Sequence, residues 1–434
     1  MNTKSISSLE GHVISGIGSM IRDLGILSHT PDELESKILA HSDDIHLSLS
    51  SSLKLVSGTS IEARVGDIVL FKLNNLGAYP DMETLWGGRV PLKIGEKYIG
   101  VLCERGSTKL ITGEFDEHIT KLRECLELQL IAQAGGVGFA TGFSPTLEKE
   151  YGYGQPSDVE ILGALYDEKK GKVLNTLEVS TPKSADLSDN SVPPSILVLG
   201  TATDVGKTTA VCALLEELSC KYSCIAIKAS GTGWYEDSLL HARSGAFPVL
   251  NFTFAGLPTT YYVDQGKYLN AMYELFNYAA NPGNIPKKFM HPEMRDRVAK
   301  KSDIVIVEHG GDLIWANIPC YLRDSKLMTP VKVLLICSES ALSLRGSLEE
   351  LRSMGIYNSQ VVKIFASVPL INPEAFYKRV EEYLKLGFIE GIFDVRKPRL
   401  LGNKERRCYY SANYSRILSC TELVEKIENH LFST

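Results

Sequence analysis

The segment Ser195–Thr209, SILVLGTATDVGKTT, constrains this chain more than any other. Ser195 to Leu199 reads as a buried strand, apolar from Ile196 on, and it enters a loop bracketed by Gly200 and Gly206. Lys207, Thr208 and Thr209 then open AVCALLEELSCKY, where Val211, Leu214, Leu215 and Leu218 recur on one helical face. A strand, a glycine-bounded loop and a helix N-terminus make a phosphate cradle, because loop N–H groups and the positive helix end face the anion. The binding positions are then Gly200, Thr201, Thr203, Asp204, Val205, Gly206, Lys207, Thr208 and Thr209. Lys207 reaches a β- or γ-phosphate and the Thr208 hydroxyl can ligate Mg2+. Five residues separate the two glycines, against four in the ordinary Walker A pattern. The alternative is a plain glycine-rich turn between a core strand and a helix.

At 434 residues the chain exceeds one ordinary core, so two or three domains are expected. Its 44% hydrophobic and 23% charged residues are those of a globular protein, and a net charge of −6 argues against nucleic acid or an anionic membrane as partner. The nine cysteines show no CxxC spacing, so neither a zinc site nor a disulfide framework is suggested. The opening MNTKSISSLEGHVISGIGSM lacks a basic-then-apolar signal, and no apolar run is long enough to span a bilayer. A cytoplasmic location is expected.

Residues 1–180 read as an α+β domain that shapes the substrate site or mediates oligomerisation. Residues 7–50 look mainly helical, with Thr30-Pro31 offering a helix start. From Leu53 the period is two: LKLVSG, SIEARV, DIVLFKL, VPLKI and KYIGVLCE suggest a small β-barrel or sandwich. DEHITKLRECLELQLIAQAGG then reads as a helix, and AQAGGVGFATGFS as a packing or turn element. Arg89, beside Gly87-Gly88 and Trp86, and Arg105, before Gly106, present planar forks suited to carboxylate or phosphate, although such arginines are more often merely solvated. Residues 181–194, TPKSADLSDNSVPP, have a linker's composition.

From 195 to about 390, strands and helices alternate, which implies a mostly parallel, doubly wound α/β sheet. Lys228 ends the strand SCIAIK and faces the crevice outside the carboxyl strand ends; snorkelling at a strand end is the alternative. Asp237 lies in WYEDSLLHARSG, where it serves equally as helix cap or Mg2+ ligand, with Glu236 as the alternative ligand. In DIVIVEHGGD, Glu308 tips an apolar strand in the Walker B manner, opposite Thr208. His309 reads as structural or as a substrate contact. Residues 391–434 form an extension with a basic turn at 404–407 and a final helix from Cys420 to Phe432, packing on this domain or on a subunit.

The loop Gly-Thr-x-Thr-Asp-Val-Gly-Lys-Thr resembles that of dethiobiotin synthetases, ATP-dependent ligases of the SIMIBI class of P-loop proteins. Lys228-Ala-Ser-Gly and Glu308-His309-Gly310-Gly311 resemble two further motifs of that family, the first two residues shorter than usual and the second carrying His309 as a departure. The resemblance covers the second domain only. It implies ATP and Mg2+ as cofactors, with Lys207, Lys228 and Asp204 at the chemistry and Thr208, Asp237 and Glu308 on the metal. It places Ser230, His309, Gly310 and Gly311 near a small-molecule substrate, and it implies a homo-oligomer. The expected reaction is phosphorylation of a carboxylate or carbamate of a small amine or amino-acid-like substrate. Two alternatives stay open. One is a regulatory or chaperone NTPase of the SIMIBI type. The other follows the weaker resemblance of Phe254-Ala255-Gly256 to the P-loop family linked to D-glutamate N-acetylation, where the loop would hold coenzyme A phosphates. No Asn/Thr-Lys-x-Asp guanine motif is found, which favours ATP over GTP.

Overall fold

The computed structural model describes residues 2–4, 14–21, 53–58, 61–115, 121, 126–152, 154–179, 187, 192–291, 294–297, 301–369, 371–396 and 416–432. Seven strands form a wholly parallel sheet in the order Val249–Asn251, Cys224–Ser230, Ile304–His309, Ser195–Gly200, Val331–Cys337, Lys363–Ser367, Gly391–Phe393. The central runs IVIVEH, SILVLG and VKVLLIC have no polar face, as strands covered on both sides require. Alternation divides them between two cores. Leu197, Leu199, Val305 and Val307 face one, and Ile196, Val198, Ile304 and Ile306 the other. Helices Gln265–Ala280, Ala341–Ser353 and Pro373–Lys385 supply Leu275, Leu348 and Phe376 to the first core. Helices Lys207–Leu218 and Cys420–Leu431 supply Val211, Leu214, Leu423 and Ile427 to the second. The fold is therefore a doubly wound α/β sheet. From Ser195–Gly200 the chain winds first toward Val249–Asn251 and later the opposite way, so the loop after Gly200 lies where the winding reverses, the usual ligand crevice.

The N-terminal half is built on a mixed ten-stranded sheet. Ile68–Leu73, Lys97–Leu102, Gly136–Phe143, Leu126–Ala132 and Ser157–Asp167 pair in a ring, forming a small closed barrel. A short ribbon, Asp81–Glu83 with Arg89–Pro91, stands apart from it. Barrel residues such as Phe71, Ile99 and Leu128 belong to the same continuous core as the Leu197 face of the parallel sheet.

Several local expectations change. Leu126–Ala132 is a strand within the segment read as a helix: Leu126, Leu128 and Leu130 are buried while Glu127 is exposed, a period of two rather than 3.6. Gly135 turns the chain at φ 92°, and Gly136–Phe143 continues as a strand, so AQAGGVGFATGFS is a hairpin arm as well as a turn. SIEARV contributes an isolated bridge from Glu62 to Lys121, and VPLKI is a strand only through Pro91. Of residues 7–50, the described part is the strand Ile14–Ile17 and a single 3-10 turn, Ser19–Ile21. The proposed helix start at Thr30-Pro31, most of the linker and the basic turn at 404–407 lie outside the described residues. Gly391–Phe393 completes the parallel sheet from within the segment read as an extension. The final helix packs on Lys207–Leu218 of the same chain, with Lys221 and Glu428 paired at 2.9 Å. No described helix is long and apolar enough to cross a membrane.

Candidate functional site

The loop after Gly200 is shaped by two left-handed residues, Asp204 at φ 58° and Gly206 at φ 88°, the second standing at the N-cap of Lys207–Leu218. Gly200 is required for a different reason. A Cβ there would stand 2.7 Å from Cδ and Nζ of Lys207, so its absence makes room for the lysine stem. The buried Lys207 ammonium donates to the carbonyls of Ala202 at 2.6 Å and Gly311 at 3.0 Å. Burial, and then the neighbouring Lys228 ammonium, hold its pKa below the ordinary lysine value.

Three elements bring polar and ionic groups to the start of this helix. Thr208 Oγ1 donates to Glu308 Oε1 at 2.9 Å and lies 3.2 Å from Asp237 Oδ1. Lys228 Nζ sits between the two carboxylates, 2.6 Å from Asp237 Oδ2 and 2.6 Å from Glu308 Oε1. His241 Nε2 meets the other Glu308 oxygen at 2.8 Å. Burial works against the Glu308 charge, but Lys228 and His241 outweigh it and hold this carboxyl well below the usual range. Burial likewise opposes the Lys228 charge, and Asp237 and Glu308 reverse it, leaving this lysine more basic than normal. Sequence reasoning missed His241. Its signal was the i, i+4 spacing from Asp237, which puts both on one face of Glu236–Arg243.

The oxygen set fits Mg2+. Thr208, Asp237 and Glu308 offer hard oxygens gathered about one point of positive charge, the Lys228 ammonium. Among the described residues no cluster of three or more His, Cys, Asp or Glu side chains could hold a metal unaided.

No family model matches this chain, and no curated protein is similar to it. Among solved structures, it is similar to the hydrogenase maturation factor HypB of Archaeoglobus fulgidus at 12% identity and a TM-score of 0.32, over 55% of this chain and 90% of that one. It is similar to the signal recognition particle receptor FtsY of Elizabethkingia anophelis in complex with GDP at 12% identity and 0.31, over 59% and 69%. A plasmid partition protein of Borrelia burgdorferi bound to AMPPNP follows at 13% and 0.28, over 56% and 99%.

A cavity of about 500 Å³ runs along the loop. Thr203 to Thr209 line it, with Lys228, Asp237, Glu308, Gly310 and Gly311. Gly200 and Thr201 stand behind the loop, Thr201 Oγ1 accepting from the Glu339 N–H at 3.1 Å. Ser230 and His309 are placed elsewhere. Both are fully buried and bonded to one another at 3.0 Å beneath the glycine turn, and neither lines the cavity. Burial, with Lys228 nearby, depresses the His309 imidazole to about 3, so it is neutral at pH 7.

The other wall comes from the barrel. Arg105, Ser107, Leu110 and Ala132 line the cavity opposite the loop. Ser107 Oγ lies 3.5 Å from Thr203 Oγ1, Thr108 Oγ1 accepts from the Thr203 N–H at 3.4 Å, and Lys109 pairs with Glu339 at 2.9 Å. Glu83 makes a second link. Its buried carboxylate accepts the N–H groups of Tyr235 and Glu236, at 2.9 and 2.8 Å, and the Ser19 hydroxyl. It thereby caps the helix bearing Asp237 and His241, whose own N-cap residue, Tyr235, supplies no side-chain bond. Nothing in the spacing of the sequence marks Glu83, because the group it serves is 152 positions away.

Proposed function

We propose that the cavity binds a nucleoside triphosphate with Mg2+ and passes the terminal phosphoryl group to a carboxylate or carbamate of a small, amino-acid-like substrate. One observation carries this reading. Two buried ammonium groups, a hydroxyl and two carboxylates converge on a glycine-bounded helix N-terminus that is roofed by the barrel. Phosphoryl transfer asks a protein for position and charge rather than covalent chemistry. Loop N–H groups and the helix end orient the phosphates, and Lys207 adds a desolvated positive charge. Lys228 supplies the second cation from Cys224–Ser230, on the opposite side of Ser195–Gly200 from Lys363–Ser367. Asp204, exposed on the loop, lines the same cavity and would meet the substrate. Thr208, Asp237 and Glu308 would hold Mg2+, which neutralises charge on the transferred group when bound. At the other end, Ser367, Val368, Val395 and Arg396 line the cavity beyond two outer strands and would hold the base. ATP is favoured by the lack of a guanine motif in the sequence.

The test is nucleoside diphosphate release from ATP and from GTP with Mg2+, across amino acids, amines and dicarboxylates, with and without bicarbonate. Acid-dependent release that falls at least about a hundredfold in Lys207→Ala supports the reading. Absence of any Lys207-dependent nucleotide binding or turnover overturns it.

A second reading, a nucleotide-driven regulatory protein, is favoured by the Glu83 cap, which ties the helix of Asp237 to the barrel. Slow release that no small acid stimulates would select it.

A further inference from the structure

We propose that Arg105, on the barrel wall, is the anchor for the carboxylate of the phosphoryl acceptor, making the barrel the specificity element of the site. The inference deepens the reading above and rests on it. Arg105 is 9% exposed and lines the cavity facing the phosphate loop. Its backbone is fixed by reciprocal 2.8 Å bonds to Gly113. Nη1 donates to the Ile131 carbonyl at 2.5 Å and to the Tyr79 hydroxyl, and the guanidinium carbon lies 5.7 Å from the Tyr79 ring centre. These partners are neutral. Among the described residues no carboxylate pairs with Arg105. Lys228 holds two carboxylates, and Lys207 lies on the phosphate loop itself.

A guanidinium has five N–H donors in a planar fork and stays charged at any ordinary pH. Two sit on Nη1 and are directed at Tyr79 and Ile131; Nη2 and Nε carry the rest. A buried cation is tolerated where an anion completes it. The cavity is where such an anion enters, and the planar fork matches a carboxylate. The phosphates already have the loop, Lys207 and Lys228, so the charge at Arg105 is left for the other reactant. The surrounding wall is suited to an organic body. Leu110, Ala132, Trp234 and Tyr261 line the same cavity. The fork is also held at a fixed remove from the loop. Gly106 seats directly on its neighbours, since a Cβ there would stand 2.6 Å from Trp315 Nε1 and the Tyr261 ring. Tyr261 in turn abuts Gly311, whose carbonyl accepts from Lys207.

The experiment uses the full chain saturated with Mg2+ and a non-hydrolysable ATP analogue. Binding of the twenty L-amino acids, their D-forms, and succinate, glutarate and benzoate is measured by calorimetry, each hit repeated as its neutral amide. Nucleotide affinity is measured separately by a fluorescent analogue. The expected result is at least one acid that binds while its amide does not. Arg105→Met should weaken that acid by roughly 10- to 100-fold, the scale of a lost charge-assisted bidentate contact, and move nucleotide affinity less than about twofold. Arg105→Lys, which keeps charge and stem but loses the fork, should fall between. Thermal unfolding of both variants establishes that they are folded. Three outcomes overturn the proposal: no acid binding to the wild-type protein, equal acid binding to Arg105→Met, or a parallel loss of nucleotide affinity, which would make Arg105 a γ-phosphate contact. Failure of nucleotide to bind wild type is a separate result and removes the underlying reading instead.

Discussion

Glu308 is shared between two partners, the Lys228 ammonium and the His241 imidazole, and each makes a different demand on it. Lys228 takes one oxygen and His241 the other, so the carboxylate is fixed in rotation as well as in charge. His241 acts through Glu308 and would not touch a nucleotide. His241→Ala should raise the Mg2+ concentration for half-maximal turnover by about 10- to 100-fold, the usual cost of losing a partner behind a metal ligand. Metal-free nucleotide affinity should be little changed, which a fluorescent-nucleotide titration with and without Mg2+ would show. Lys228→Met has a larger effect on the fold. It leaves Glu308 buried beside Asp237 without its main cation, and it should lower the unfolding free energy by on the order of 3–5 kcal/mol. The loss should be smaller at pH 5 than at pH 8, where Glu308 cannot relieve itself by taking up a proton. Urea unfolding of both proteins at the two pH values tests this.

Among elements, the short helix Glu236–Arg243 depends most on its surroundings. Eight residues are too few to be stable alone, and its cap is a carboxylate from the ribbon Asp81–Glu83. Burial raises the Glu83 carboxyl from 4.5 to about 7, against the three donors that lower it, Ser19, Tyr235 and Glu236. The folded protein therefore keeps this proton at pH values where the unfolded chain has lost it. The resulting stability is fully present below about pH 4.5 and is lost as pH rises through about 7. Relative to Glu83→Gln, wild type should lose on the order of 3 kcal/mol between pH 4.5 and pH 8, measured by urea unfolding. An unchanged difference across that range would contradict it. The parallel strands and their helices were legible in the sequence, because continuous aliphatic runs such as IVIVEH and caps such as Ser340 and Asn372 act locally. Leu126–Ala132 is not legible as a strand because its charged flank has a helix's composition, while its strand identity comes from pairing with Gly136–Phe143 and Ser157–Asp167. Pairing of that kind is written in the partners, not in the segment.

Over the whole molecule, barrel and sheet share one core and enclose the cavity between them. The loop half of the site could be read from residues 200–209, 228, 237 and 308, because its motifs are contiguous. The barrel half was legible only as the fork of Arg105, since Ser107 and Glu83 gain meaning from groups more than ninety positions away. Gly106 tests the junction. Gly106→Ala should force the 105–108 segment off Tyr261, costing about 1–3 kcal/mol as an overpacked contact. It should reduce acid-stimulated turnover more than nucleotide binding, as steady-state kinetics beside a nucleotide titration would show. The Glu83 cap also has a bearing on how the chain assembles. A helix whose terminating carboxylate was made 152 residues earlier cannot reach its final form until that earlier part has folded. Synthesis from the N-terminus presents the two in that order, so a chain with an unfinished barrel would carry the helix of Asp237 and His241 without its cap.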